Sequence, residues 1–154
     1  MGDTSAASVV KREGNGSFNV GARSKARKRA AEILFEADLR GLNPLELLAE
    51  RVGSPELPPI SDYTVSLVQG VVEHAADIDR LLTDQAHGWA LSRMPAVDRA
   101  VLRLGVFELL FSDEVDDAVA IDEAIELAKL LSTDDSPRFV NGVLGALAAL
   151  PRGS

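Results

Sequence analysis

The closing stretch Asp135-Ser136-Pro137-Arg138-Phe139-Val140-Asn141-Gly142-Val143-Leu144 decides between two folds. Asn141-Gly142 stands between apolar pairs, the strongest short-range signal for a β-hairpin. The same residues also satisfy a helix. Phe139, Val140, Val143, Leu144 and Leu147 recur at helical spacing, Pro137 belongs in a first turn, and Asp135 or Ser136 can cap it. Only two or three residues flank Asn-Gly on each side before Gly145 and an Ala/Leu run follow, which is short for paired strands. We therefore read a helix, and with it no convincing strand remains anywhere in the chain.

Moving upstream, Val119–Leu131 is amphipathic, with Ile121, Ala124, Ile125 and Ala128 on one face and Asp122, Glu123, Glu126 and Lys129 on the other. The acidic turn Asp113 to Asp117 precedes it. Pro95–Phe111 is apolar nearly all round, as befits a helix in the middle of a bundle. Further segments are Asp77–Ala86, with Ile78, Leu81 and Leu82, and one capped by Ser61 that carries Thr64, Leu67, Val68, Val71 and Val72 on one face. Before the proline-rich loop 54–60, a short helix starts at Pro44 after Asn43 and stops at Gly53. The first helix is predicted over Ser24–Arg40, with the stripe Ala26, Ala30, Ile33, Leu34, Ala37 and a stop at Gly41. Residues 1–22 are rich in Gly, Ser, Ala and Asn without periodicity, and read as a disordered arm. The expectation is an all-α, compact bundle of about six or seven helices over residues 23–150, with 151–154 a short tail.

Composition narrows the function. The chain is 46% hydrophobic but only 5% aromatic, which fits an aliphatic helical core. It has no cysteine, so disulfides, thiolate nucleophiles and cysteine zinc sites are excluded. No stretch approaches the ~18 apolar residues of a membrane span, and no signal peptide is evident, so a cytoplasmic protein is expected. His74 and His87 lack the i, i+4 spacing of a helical metal pair, and no nucleotide-binding or nucleophile motif occurs. We expect no metal, no cofactor, no catalytic residues and no enzyme activity. Two residues stand out from their surroundings. Glu108 shares a face with Val97, Val101, Leu104 and Phe111, and there calls for a structural hydrogen-bond partner. Trp89 can stack on a base or plug its loop into the core, and the plug is the favoured reading.

The net charge of -8 hides an asymmetry. Residues 1–29 hold seven cations against two carboxylates, a net +5, which leaves -13 for the rest. Within that end, Arg23, Lys25, Arg27, Lys28 and Arg29 crowd the first turns of the predicted helix, where cations oppose the helix dipole and a polyanion would relieve them. Arginine forks grip phosphate and stack on unpaired bases, so a nucleic acid is the expected partner. A solvated charged turn and an anionic membrane surface are the alternatives, and the first turns are too Ala-rich to bury much apolar area in a membrane.

Three blocks carry a family resemblance: Asp98-Arg99-Ala100-Val101-Leu102-Arg103 with Phe107-Glu108-Leu109, Ala120 to Lys129, and Asp134 to Leu144. With the basic segment ahead of them they resemble the NusB family of transcription antitermination factors over roughly residues 23–148. The resemblance implies a two-lobed helical fold that binds the boxA element of nascent ribosomal RNA together with NusE, a small-subunit ribosomal protein, in the RNA polymerase antitermination complex. It implies that Arg23, Lys25 and Arg27 hold the RNA backbone, that Phe139 offers a ring to a base, and that Asp135 tunes affinity. Lys28, Arg29 and Arg138 complete the expected RNA-binding set, although Phe139 can also be a core residue. The acidic body suits a basic partner, with Asp77, Asp84, Asp113, Glu114, Asp116 and Asp117 as candidate contacts. A self-associating interaction module, for example a homodimer that masks its basic segment, is the alternative function.

Overall fold

The computed structural model describes residues 16–151 except Gly88, with side chains from Gly21 onward. Seven α-helices and one short 3-10 helix follow one another: α1 (Gly16–Arg40), α2 (Pro44–Val52), α3 (Asp62–Glu73), α4 (Ala75–Gln85), the 3-10 turn Leu91–Arg93, α5 (Ala96–Leu110), α6 (Asp117–Leu131) and α7 (Ser136–Ala148). The described residues contain no strand.

The local chemistry of the ends accounts for most boundaries. Asn43 accepts from the Leu45 N–H ahead of Pro44, and Ser61 accepts from the Thr64 N–H. Gly41 ends α1 at φ 66, a left-handed conformation that favours glycine. Asn141 and Gly142 lie inside α7, so the hairpin alternative is excluded. Tertiary burial of Val140, Val143, Leu144 and Leu147 overrides the turn signal.

Two expectations shift at the N-terminus. The helix begins at Gly16, eight residues before the predicted start, so residues 16–22 are not part of an irregular arm; residues 1–15 lie outside the described residues. Arg23–Arg29 therefore sits about two turns into α1, beyond the reach of an N-terminal dipole that fades within the first turn. The anticipated dipole penalty does not apply.

Helix α5 is the hub, packed against α1, α3, α4, α6 and α7. Val101, Leu102, Leu104 and Val106 are fully buried on it, as the all-round apolar pattern predicts. With Ile33, Leu67, Ile78, Leu82, Leu144 and Leu147 they form one aliphatic core. Each such side chain contributes on the order of 1.5–3 kcal/mol relative to exposure. Gly70 lets α3 cross α5 closely, because a Cβ there would overlap the Phe107 ring. Arg99 and Arg103 on α5 cross-link the outer elements: Arg99 Nε reaches Asp38 at 2.9 Å, and Arg103 donates to both oxygens of Asp79 at 2.9 and 3.1 Å.

Candidate nucleic-acid interface

The basic segment divides into two sets. Lys25, Lys28 and Arg29 lie on the outer arc of α1, exposed or half-buried. Arg27 does not: it is 2% exposed. Its Nε donates to Glu108 Oε1 at 2.8 Å, and its Nη1 lies 3.2 Å from Glu123 Oε1. The Tyr63 hydroxyl donates to the other Glu108 oxygen. Burial opposes the Arg27 charge, but the Glu108 hydrogen bond and charge, with Tyr63 and Glu123, outweigh it and hold its pKa above the ordinary value. Arg27, expected to hold RNA, is thus buried here and engaged by Glu108 and Glu123. Glu108 has the partner that its place on an apolar face demanded.

The same cluster anchors the basic segment of α1. Ser24 Oγ donates to Glu123 at 2.8 Å, and Thr64 Oγ1 donates to the Ala26 carbonyl at 3.0 Å. Arg23 lies over the Tyr63 ring at 4.5 Å and pairs with Glu114 at 3.0 Å. Arg23, an expected RNA contact, and Glu114, an expected partner contact, are therefore bound to each other. Tyr63, Ser24 and Glu123 were absent from the sequence-based set. A signal existed in two unmatched charges, Glu108 on an apolar face and Arg27 beside an apolar seam, which call for each other.

Helix α6 connects this region to the closing motif. It runs alongside α1: Ser24 meets Glu123, and further on Glu32 and Phe35 share a cleft with Leu131, lined also by Ala31, Val97 and Ala100. From Glu123 to Ser132 the spacing along the axis is about 13 Å at 1.5 Å per residue. Beyond Ser132 the chain turns into α7, held by buried Asp98. Ser132 Oγ donates to one Asp98 oxygen at 2.5 Å and Ser136 Oγ to the other at 3.0 Å. This junction positions Asp135 and Arg138, both exposed, and Phe139, which is half-buried. Trp89 packs against Phe139 with centroids 4.8 Å apart and planes inclined at 62°. At 39% exposed, Trp89 is not the core plug expected.

Most cations of the described residues are matched to carboxylates. Lys28 pairs with Glu32, Arg40 and Arg51 with Glu36, Arg80 with Asp77, and Lys129 with Glu126. Among the described residues Lys25, Arg29, Arg93 and Arg138 have no such partner. They sit on the outer arc of α1, and on the loop and helix that carry Trp89 and Phe139.

The acidic candidates separate by position. Asp113, Glu114, Asp116 and Asp117 are exposed at the α5–α6 turn and the start of α6. His74, stacked on Phe111 at 4.5 Å, brings the start of α4 and Asp77 to that same end. Asp84 is exposed about 10 Å further along α4, away from the turn. No group of three or more metal-binding side chains comes together among the described residues. No helix there is long and apolar enough to cross a membrane.

The NusB family model matches residues 24–149, which spans the whole of this arrangement from Ser24 to α7. The chain belongs to the NusB family. It is 65% identical over 132 residues to the transcription antitermination protein NusB of Saccharopolyspora erythraea, covering 85% of this chain and 89% of that protein. To the NusB of a Nocardioides species it is 59% identical over 126 residues, covering 82% and 93%. NusB of T. maritima shares its fold with a TM-score of 0.72 and 33% identity, over 82% of this chain and 89% of the other. A crystal structure of the antitermination factors NusB and NusE in complex with double-stranded RNA matches with a TM-score of 0.69 and 34% identity, over 82% and 95%. The expected all-α NusB fold is confirmed.

Proposed function

We propose that this protein is a transcription antitermination factor. It binds boxA of nascent ribosomal RNA together with NusE and acts in the RNA polymerase antitermination complex in the cytoplasm, without catalytic activity of its own. The observation that carries this reading is the distribution of unmatched cations. In a body whose other described cations are matched to carboxylates, Lys25 and Arg29 fall on α1, and Arg93 and Arg138 on the turn that follows Trp89 and the helix that carries Phe139. Phosphate contacts and base stacking are the two means by which single strands are held, and both are supplied here. Its membership of the NusB family supports the same reading.

Within this reading Lys25, Arg29, Arg93 and Arg138 contact phosphates, Phe139 stacks on a base, and Asp135 lies beside it. Lys28 and Arg23 join them only by releasing Glu32 and Glu114. Asp77, Asp113, Asp116 and Asp117 form the acidic end offered to the basic NusE partner, and residues 23–150 act as one binding domain.

The test is binding to a short boxA-like RNA, a scrambled strand and a boxA-containing duplex, with and without NusE, at two salt concentrations. Preference for the boxA strand that NusE strengthens is the expected outcome. Equal, weak and salt-sensitive binding to all three RNAs, indifferent to NusE, would overturn it.

A further inference from the structure

We infer that Trp89 is itself an RNA-binding residue: with Phe139 it forms a corner that accepts one unpaired base, flat against one ring and bounded by the other. This rests on the RNA-binding reading above and adds a residue to that site.

The geometry is that of an open corner. Two rings 4.8 Å apart and inclined at 62° cannot both lie flat on the same base, but they can enclose its face and edge. Trp89 keeps 39% of its surface exposed, whereas a tryptophan serving only as packing would be largely covered. Its indole Nε1–H has no acceptor among the described residues, so it is available to a phosphate or a base carbonyl. The other aromatic groups near charged side chains are already engaged. Phe107 and Phe111 stack with His74, and Tyr63 lies beneath Arg23 and Arg27.

The backbone that follows Trp89 is held by Arg99. Arg99 Nη1 donates to the carbonyls of Leu91, Ser92 and Met94 at 3.2, 3.4 and 2.7 Å, and its Nε is fixed on Asp38. The Trp89 N–H donates to the Ala86 carbonyl at 3.0 Å. Arg138 precedes Phe139 in the chain and Arg93 closes the 3-10 turn, so both elements that carry the rings also carry an unmatched cation. A ring face can receive only a base that has left its stack, so the ligand is an unpaired stretch of RNA.

Trp89 is the only tryptophan of the chain, so its emission reports this site alone. The full-length protein is titrated with an end-labelled single-stranded boxA-like RNA, with NusE present, while label anisotropy gives affinity and tryptophan emission is followed with NusE's own emission subtracted. Emission should be quenched along the same isotherm as the anisotropy. Trp89→Ala should weaken binding about 5- to 150-fold, the loss of one base–ring stack, while Trp89→Phe keeps most of the affinity. Binding that leaves wild-type emission unchanged would overturn the role of Trp89 and leave the RNA-binding reading standing; this arm needs no variant to fold. So would a folded Trp89→Ala protein of unaltered affinity. Failure of the wild-type protein to bind the RNA at all would overturn both.

Discussion

Arg27, Glu108 and Tyr63 show how a side chain's neighbours can reverse its apparent role. Arg27 and Glu108 are each 2% exposed, and removing one partner leaves the other as an uncompensated buried charge. Arg27→Met is therefore expected to cost about 3–5 kcal/mol, measured by chemical denaturation. Arg27→Met with Glu108→Leu should recover part of that loss, because the buried Arg27–Glu108 pair is replaced by two apolar groups, while Glu123, which is partly exposed, and the Tyr63 hydroxyl each lose a partner. Tyr63 offers a second check. Burial first, and then the Glu108 hydrogen bond and charge, push its hydroxyl well above the ordinary tyrosine range. A neutral form favoured in the folded state contributes stability that is present below pH ~10 and is lost as pH rises beyond it. As Tyr63 is the only tyrosine, absorbance of tyrosinate should appear near pH ~10 in the unfolded chain and clearly higher in the folded one. Coincident titrations would sink the pairing with Glu108.

At the scale of elements, the crossing of α3 over α5 depends on Gly70. Gly70→Ala drives a methyl into Phe107 and should cost about 1–3 kcal/mol in thermal denaturation. The helices themselves were largely legible in the sequence, because period, caps and stops agree: Asn43 before Pro44, Ser61 before Asp62, Gly41 after Arg40. The start of α1 was not, since Gly16, Ser17, Asn19 and Gly21 are poor helix formers and carry no apolar stripe. The candidate site was legible only in part. Lys25, Lys28, Arg29, Asp135 and Arg138 are on the surface, as composition suggests. The burial of Arg27 is set by a residue 81 positions away, and the pairing of Trp89 with Phe139 by one 50 positions away; local pattern carries neither.

For the whole molecule, matching of charges limits how strongly salt can act on RNA binding. Each phosphate contact to a single strand contributes about 0.7 to the slope of log affinity against log salt, so the unmatched Lys25, Arg29, Arg93 and Arg138 together support a slope of about 3 in magnitude. Glu114→Gln, which releases Arg23 from its carboxylate, should steepen that slope by up to ~0.7 and raise affinity at low salt. An unchanged slope would show that Arg23 stays on the Tyr63 ring and the residue 114 backbone carbonyl when RNA is bound. The buried cluster has a further consequence, for inheritance. A mutation at Arg27 or at Glu108 alone strands a charge in the interior, so neither position can drift by itself. Across descendants of this chain the two should be kept together or exchanged together, and a lineage that had lost the arginine would be expected to have lost the glutamate as well.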